Sequence, residues 1–186
     1  MREGTFKRKL TAQASIKPGM NVLDLGCGTG TLTIMIKQTY PHVNITGLDG
    51  DLHVLDIARQ KSSGLNIQWD EGLASSLPYL DSTFDRVITS LVIHHLVTDD
   101  KRRAFKEIYR VLKPSGGLYV LDFGAPHSAI PRLVSRYMRR LEETADNFDG
   151  LIPQFITEAG FGFVKEAEHF ITLFGPLSLW QAVKPA

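Results

Sequence analysis

The ten residues Asn21–Gly30, Asn-Val-Leu-Asp-Leu-Gly-Cys-Gly-Thr-Gly, constrain this chain more than any other stretch. Val22, Leu23 and Leu25 read as a short buried strand, and glycines follow at 26, 28 and 30. A helical apolar stripe of Leu32, Met35 and Ile36 begins at once, and Pro41 stops it. Strand, glycine turn and helix in that order open a doubly wound α/β fold, which takes its ligand at the carboxyl ends of its strands. Glycines let the backbone turn sharply and let a ligand approach with no Cβ in between.

The turn also limits which ligand that can be. The phosphate-cradling form needs Gly-x-Gly-x-x-Gly. Here the third glycine would fall at Thr31 or Thr33, and no Gly-x-x-x-x-Gly-Lys-Ser/Thr occurs either. Asp24 precedes the glycines by two. A carboxylate there repels a pyrophosphate and attracts a cationic group, directly or through water. The plainer alternative is that Asp24 only hydrogen-bonds the glycine turn. A second strand, Asn44–Asp49, closes on an acid where this fold places a carboxylate for ribose hydroxyls. Asp51 reads as the N-cap of a helix carrying Leu52, Leu55 and Ala58, which leaves Asp49 as the ribose partner.

The motif Asp-x-Gly-x-Gly-x-Gly resembles the first motif of the Rossmann-like S-adenosylmethionine (SAM)-dependent methyltransferases, and SAM carries an ammonium and a sulfonium but no phosphate. Phe84-Asp85, His94-His95-Leu96, Val111-Leu112-Lys113-Pro114 and Gly116-Gly117 look like the type-11, ubiquinone/menaquinone-biosynthesis-like branch. The resemblance runs from about Lys17 to Phe123 and is specific to the cofactor rather than to a substrate. It implies a doubly wound, mostly parallel seven-stranded sheet with the last strand antiparallel and helices on both faces. It also implies SAM as cofactor and S-adenosylhomocysteine as product, with contacts at Asp24, Gly26, Cys27, Gly28, Gly30, Asp49, Gly50, Leu73, Ala74 and Ser90. One departure stands out. Asp70-Glu71-Gly72-Leu73-Ala74-Ser75-Ser76-Leu77-Pro78 is similar to the family's Gly-Asp-Ala-x-x-Leu-Pro, whose Asp faces the adenine amine. Leu73 stands in that position and offers an apolar wall, with Asp70 and Glu71 as the acids nearby.

Further strands are expected at Leu65–Trp69, Arg86–Leu91, Leu118–Phe123, Phe161–Phe170 and Leu177–Val183. Thr98 reads as the N-cap of a helix bearing Ala104, Phe105, Ile108, Tyr109 and Leu112, and Leu151–Ala159 as a later helix. A short helix with Phe6, Leu10 and Ala14 on one face precedes Asn21, and its Lys7-Arg8-Lys9 cluster reads as a solvated face, with contact with an anionic substrate or a membrane surface as the alternative. Residues 124–150 resemble the family least and are the expected substrate-side insertion. There Ser128 caps an amphipathic helix whose other face carries Arg132, Arg136, Arg139 and Arg140. That basic face is expected to be solvated; the functional alternative is a lid over the acceptor or a contact with lipid.

Methyl transfer from a sulfonium is an in-line displacement with a neutral leaving group, so the main requirement is orientation. A base is needed only where the acceptor loses a proton. The candidates are His94, His95, Asp122 and His127, of which the histidines titrate near neutral pH. The acceptor is expected to be a small-molecule or lipid-like compound; a non-catalytic SAM- or nucleoside-binding module is the alternative. No His or Cys spacing suggests a metal site. With 186 residues, 43% hydrophobic and 22% charged, the chain fits one soluble domain. A net charge of +1 argues against bulk nucleic-acid binding. The single cysteine, the lack of a signal core and the lack of a membrane-spanning run suit a cytoplasmic protein, with peripheral membrane contact left open.

Overall fold

The computed structural model describes residues 3–126, 143–172 and 175–186. His127 and the arginine-bearing segment expected at 128–141 lie outside the described residues. In chain order the elements are α1 (Glu3–Gln13), β1 (Asn21–Leu25), α2 (Thr31–Thr39), β2 (Asn44–Asp49), α3 (Leu52–Lys61), β3 (Gln68–Glu71) and β4 (Phe84–Ser90). A 3-10 turn (Ile93–His95) and α4 (Thr98–Val111) follow, then β5 (Leu112–Phe123), α5 (Ala145–Phe148), α6 (Ile152–Glu158), β6 (Gly162–Thr172) and β7 (Gly175–Val183). The strands form one seven-stranded sheet in the order β3-β2-β1-β4-β5-β7-β6. β1 to β5 pair in parallel, and β7 runs antiparallel between β5 and β6. The switch in strand order lies between β1 and β4, so the crevice at their carboxyl ends is where this architecture holds a ligand.

Apolar side chains from both faces of the strands fill two cores. On one face Leu10 of α1 and Leu32 and Ile36 of α2 pack with Val22, Ile45 and Ile88. On the other, Phe105, Ile108 and Val111 of α4 and Phe155 of α6 pack with Leu23, Val87 and Val120. The helical spacing of the buried α4 residues gives that helix its inward stripe, and Asp99 and Asp100 at its start and Arg110 at its end suit its dipole.

Three of the differences from the sequence reading have a visible local cause. The third strand begins at Gln68 instead of Leu65, because Leu65 and Ile67 donate to Ser62 and Leu65 carbonyls in a turn. Thr98 is the first residue of α4 rather than its cap; Val97 takes the cap position and the Thr98 hydroxyl donates to Asp146 Oδ2 at 2.7 Å. β5 starts at Leu112, which pairs with Phe84 before the register jumps to Arg86 opposite Gly117. The Pro114–Gly117 turn is thus a bulge inside a longer strand, pinned by Ser115 N–H to the Lys184 carbonyl.

Candidate functional site

A cleft of ≈ 350 Å³ opens at the carboxyl ends of β1, β2 and β4. Gly26, Gly28, Asp49, Gly50, Leu73 and Ala74 line it, with Leu91, Val92, His95 and Leu96 as the opposite wall. A larger groove of ≈ 560 Å³ runs between α1 and α2. It lies off the strand ends and holds no acid among its described lining residues, so the smaller cleft is the better cofactor site.

The three glycines of the turn do different jobs. All three take positive φ, of 71°, 52° and 75°, which favours glycine at each position. A Cβ on Gly26 would sit 2.3 Å from Val92 Cγ2, and one on Gly30 would sit 2.5 Å from Trp69 Cη2. Only Gly28 faces open space, with nothing within 4 Å of a Cβ built there. The sequence reading gave all three to ligand approach; the structure gives Gly30 to the Trp69 ring. Gly47 of β2 makes room for the same ring.

Asp49 stands at the end of β2 in the cleft wall. Its Oδ2 accepts Gly28 N–H at 2.8 Å and its Oδ1 accepts Asp51 N–H at 3.1 Å. The sequence reading gave this side chain no structural role as good as the cap made by Asp51; it has one, tying the glycine turn to β2. A carboxylate has about four lone-pair sites, so two remain for hydroxyl donors. Asp51 caps α3 as expected, accepting His53 N–H at 2.8 Å.

Asp24 lies behind the turn, 1% exposed and outside the cleft lining. Thr33 Oγ1 donates to its Oδ2 at 2.5 Å. Burial raises its pKa to about 6, against the lowering effects of the Thr33 hydroxyl and the charge of Lys7. Lys7, on α1, is therefore within electrostatic reach of the turn, which the sequence reading of its cluster as a solvated face missed. Nothing in the sequence says how α1 lies across the sheet. Cys27 is buried too, and burial pushes its thiol well above the ordinary range, so it is no nucleophile. Ser90 ends β4 with its hydroxyl buried and unpaired, outside the cleft lining.

The candidate catalytic residues separate into a front and a back row. His95 faces the cleft. His94 is buried behind it, with ring centroids 4.0 Å apart, and its Nδ1 lies 2.8 Å from Asp122 Oδ1. Asp122 Oδ2 accepts the Val92 and Ile93 N–H groups at 3.0 and 2.8 Å, and Oδ1 accepts Phe123 N–H at 2.7 Å. Asn147 Nδ2 adds a donor at 3.3 Å. The acids suggested as stand-ins at the β3 end do not face the cleft: Asp70 Oδ2 accepts the Tyr79 hydroxyl at 2.9 Å and Gln68 Nε2 at 2.8 Å. Among the described residues no helix is long and apolar enough to cross a membrane.

Comparison with known proteins gives the family. The family profile described as "Methyltransferase domain" matches residues 22–116, about half of the chain. The demethylmenaquinone methyltransferase of Lactobacillus johnsonii is 38% identical over 133 residues, 69% of this chain and 54% of the relative. That of Deinococcus radiodurans is 36% identical over 127 residues, 67% and 52% respectively. The ubiquinone/menaquinone biosynthesis C-methyltransferase UbiE of Desulfotalea psychrophila is 33% identical over 121 residues, 65% and 48%. The chain thus spans about half the length of these curated relatives. Among solved structures, a Haemonchus contortus phosphoethanolamine N-methyltransferase 2, in complex with phosphomonomethylethanolamine and S-adenosylhomocysteine, aligns with a TM-score of 0.80 at 17% identity. That match covers 98% of this chain and 53% of the other, and shows a shared fold.

Proposed function

The chain belongs to the class I SAM-dependent methyltransferases, in the branch of the demethylmenaquinone and UbiE enzymes, and from that premise we propose that its strand-end cleft binds SAM for methyl transfer to a ring carbon of a menaquinone-type acceptor. The observation that carries this reading is the pairing of Asp49 with the open face of Gly28 in one cleft. Asp49 keeps lone pairs for two ribose hydroxyls, and the space over Gly28 admits the ligand against bare backbone. Asp24 attracts the ammonium of the amino-acid tail from behind the turn, at short range and in a poorly solvated setting where charge counts for more. Leu73 and Ala74 wall the base.

Bound SAM would supply a methyl group on a positively charged sulfur that leaves as a neutral thioether. The chain's own contribution is to hold and orient both partners, worth up to about 7–11 kcal/mol in favourable cases. A carbon that gains a methyl must give up a proton, and His95 is the side chain of the cleft wall suited to take it. His94 and Asp122 hold His95 in place: Asp122 ties the 3-10 turn through two backbone N–H groups, and its oxygens are too fully engaged to serve as a base. The name C-methyltransferase on one relative and the acceptor named for the other two support this choice of acceptor.

The test is transfer of labelled methyl from SAM to a demethylmenaquinol-type acceptor, together with calorimetry of Asp49→Ala. We expect product in the first, and a loss in SAM affinity of about 100-fold or more in the second, since hydrogen bonds to a charged group contribute about 1.5–3 kcal/mol each. Unchanged affinity would remove Asp49 from the site. Binding without transfer to any acceptor would favour the non-catalytic SAM-binding module.

A further inference from the structure

If SAM lies with its ribose at Asp49 and its tail over Gly28, its base falls at the β3 end of the cleft, beside Gly50, Gly72, Leu73 and Ala74. Among the described residues lining that end, no side chain can accept a hydrogen bond. Leu73 is 64% exposed at the mouth, with its Cδ2 packed 3.3 Å from the place of a Gly50 Cβ. Glu71, the nearest acid in sequence, is exposed and absent from the lining, and Asp70 is held by Tyr79 and Gln68 and is absent from it too.

The loop that carries Leu73 cannot easily slide to bring another residue in. Glu107 Oε2 accepts Leu77 N–H at 2.8 Å, while Arg110 donates to the Leu77 and Tyr79 carbonyls at 3.1 and 2.7 Å and to Asp81 Oδ1 at 2.8 Å. Glu107 and Arg110 are themselves joined by two bonds of 2.8 Å. Ser76 N–H closes the loop on the Leu73 carbonyl at 3.0 Å. The base-facing residues are therefore fixed by a clamp on α4.

We infer that this cleft does not read the exocyclic amine of the base through any side chain, so that it takes cofactors altered at that amine about as well as SAM, and that Leu73 sets this tolerance. The inference rests on the SAM reading of the cleft. Its physical ground is an asymmetry: an apolar wall discriminates weakly between isosteres, whereas a buried hydrogen-bonding group left unpaired rejects an analogue strongly. With Leu73 against the base, loss of the amine leaves no protein group stranded.

The experiment is calorimetry of the whole chain with S-adenosylhomocysteine, its 6-deamino purine analogue and its N6-methyl analogue, on wild type and Leu73→Asp. Residue 73 is exposed, so the variant should fold, and its melting curve checks that it does. We expect wild type to bind all three within about threefold, and Leu73→Asp to prefer S-adenosylhomocysteine over the deamino compound by about tenfold or more, the effect of one hydrogen bond to a charged group. A wild-type preference of about thirtyfold or more over the deamino compound would overturn the inference while leaving the SAM reading intact. A folded Leu73→Asp that fails to separate the two ligands would overturn the role of residue 73. If wild type binds none of the three, the SAM reading itself fails and this inference with it.

Discussion

Asp24 offers a test in which stability and binding move in opposite directions. Its carboxyl is 1% exposed, and burial raises its pKa from 3.8 to about 6. Between those values the folded state binds more protons than the unfolded one, so stability falls as pH rises through this window. The stabilising preference for the protonated form is complete below about 4 and gone above about 6. A shift of this size corresponds to about 3 kcal/mol against the ligand-free fold at neutral pH. Asp24→Asn removes the charge and keeps an oxygen for Thr33, at the cost of burying an NH2 group. At pH 7.5 the ligand-free variant should therefore be about 1–3 kcal/mol more stable, and melt roughly 2–12 °C higher, than wild type. At pH 4 the gain should vanish. Ligand binding should respond in reverse, because the ammonium of the ligand favours an ionised Asp24. Wild-type affinity for S-adenosylhomocysteine should fall about tenfold from pH 7.5 to pH 5.0, a range in which an α-amino group stays largely protonated. Asp24→Asn should bind more weakly at pH 7.5 and show little pH dependence. Calorimetry at the two pH values, with thermal melts of the apo proteins, measures both. Wild-type dissociation constants within twofold of each other at the two pH values, or full affinity in Asp24→Asn, would refute the reasoning.

Two more outcomes follow from side chains whose settings differ sharply. Lys101 is 0% exposed and donates to Asp146 Oδ2 at 3.1 Å and to the Glu143 carbonyl, fastening α4 to α5 and the residues just before it. Asp146→Ala strands that ammonium and should cost about 3–5 kcal/mol in urea unfolding, while Lys101→Met with Asp146→Leu should recover most of it; a loss under about 1 kcal/mol for Asp146→Ala would contradict the pairing. His95→Ala should lower kcat about 100-fold or more with little change in cofactor affinity. A drop of less than threefold would leave His95 as cleft wall alone.

What the sequence disclosed and what it hid follow a physical line. Asp49 and the glycine turn were legible because strand ends and tight turns are set by local pattern. The antiparallel course of β7 was legible only through family likeness, since Leu177–Val183 as a string carries no direction. Burial was the blind spot. Asp24 and Asp49 look alike as isolated acids, yet one lies behind the turn and the other in the cleft. The Arg110–Glu107 clamp was hidden because its partners are main-chain carbonyls and N–H groups some thirty residues away. Lys7 was hidden for a similar reason: its closeness to Asp24 depends on how α1 lies across the sheet.

Trp69 has a consequence for how variation in this chain should be read. Its indole fills the hollows left by Gly30 and Gly47, so positions 30, 47 and 69 share one volume although they come from three separate segments. Enlarging either glycine becomes tolerable only alongside a smaller ring at 69, apart from the backbone strain at 30. Among homologues these three sites should therefore change in concert, and an alanine at 47 beside a leucine or valine at 69 would signal a repacked interior with the cofactor site untouched.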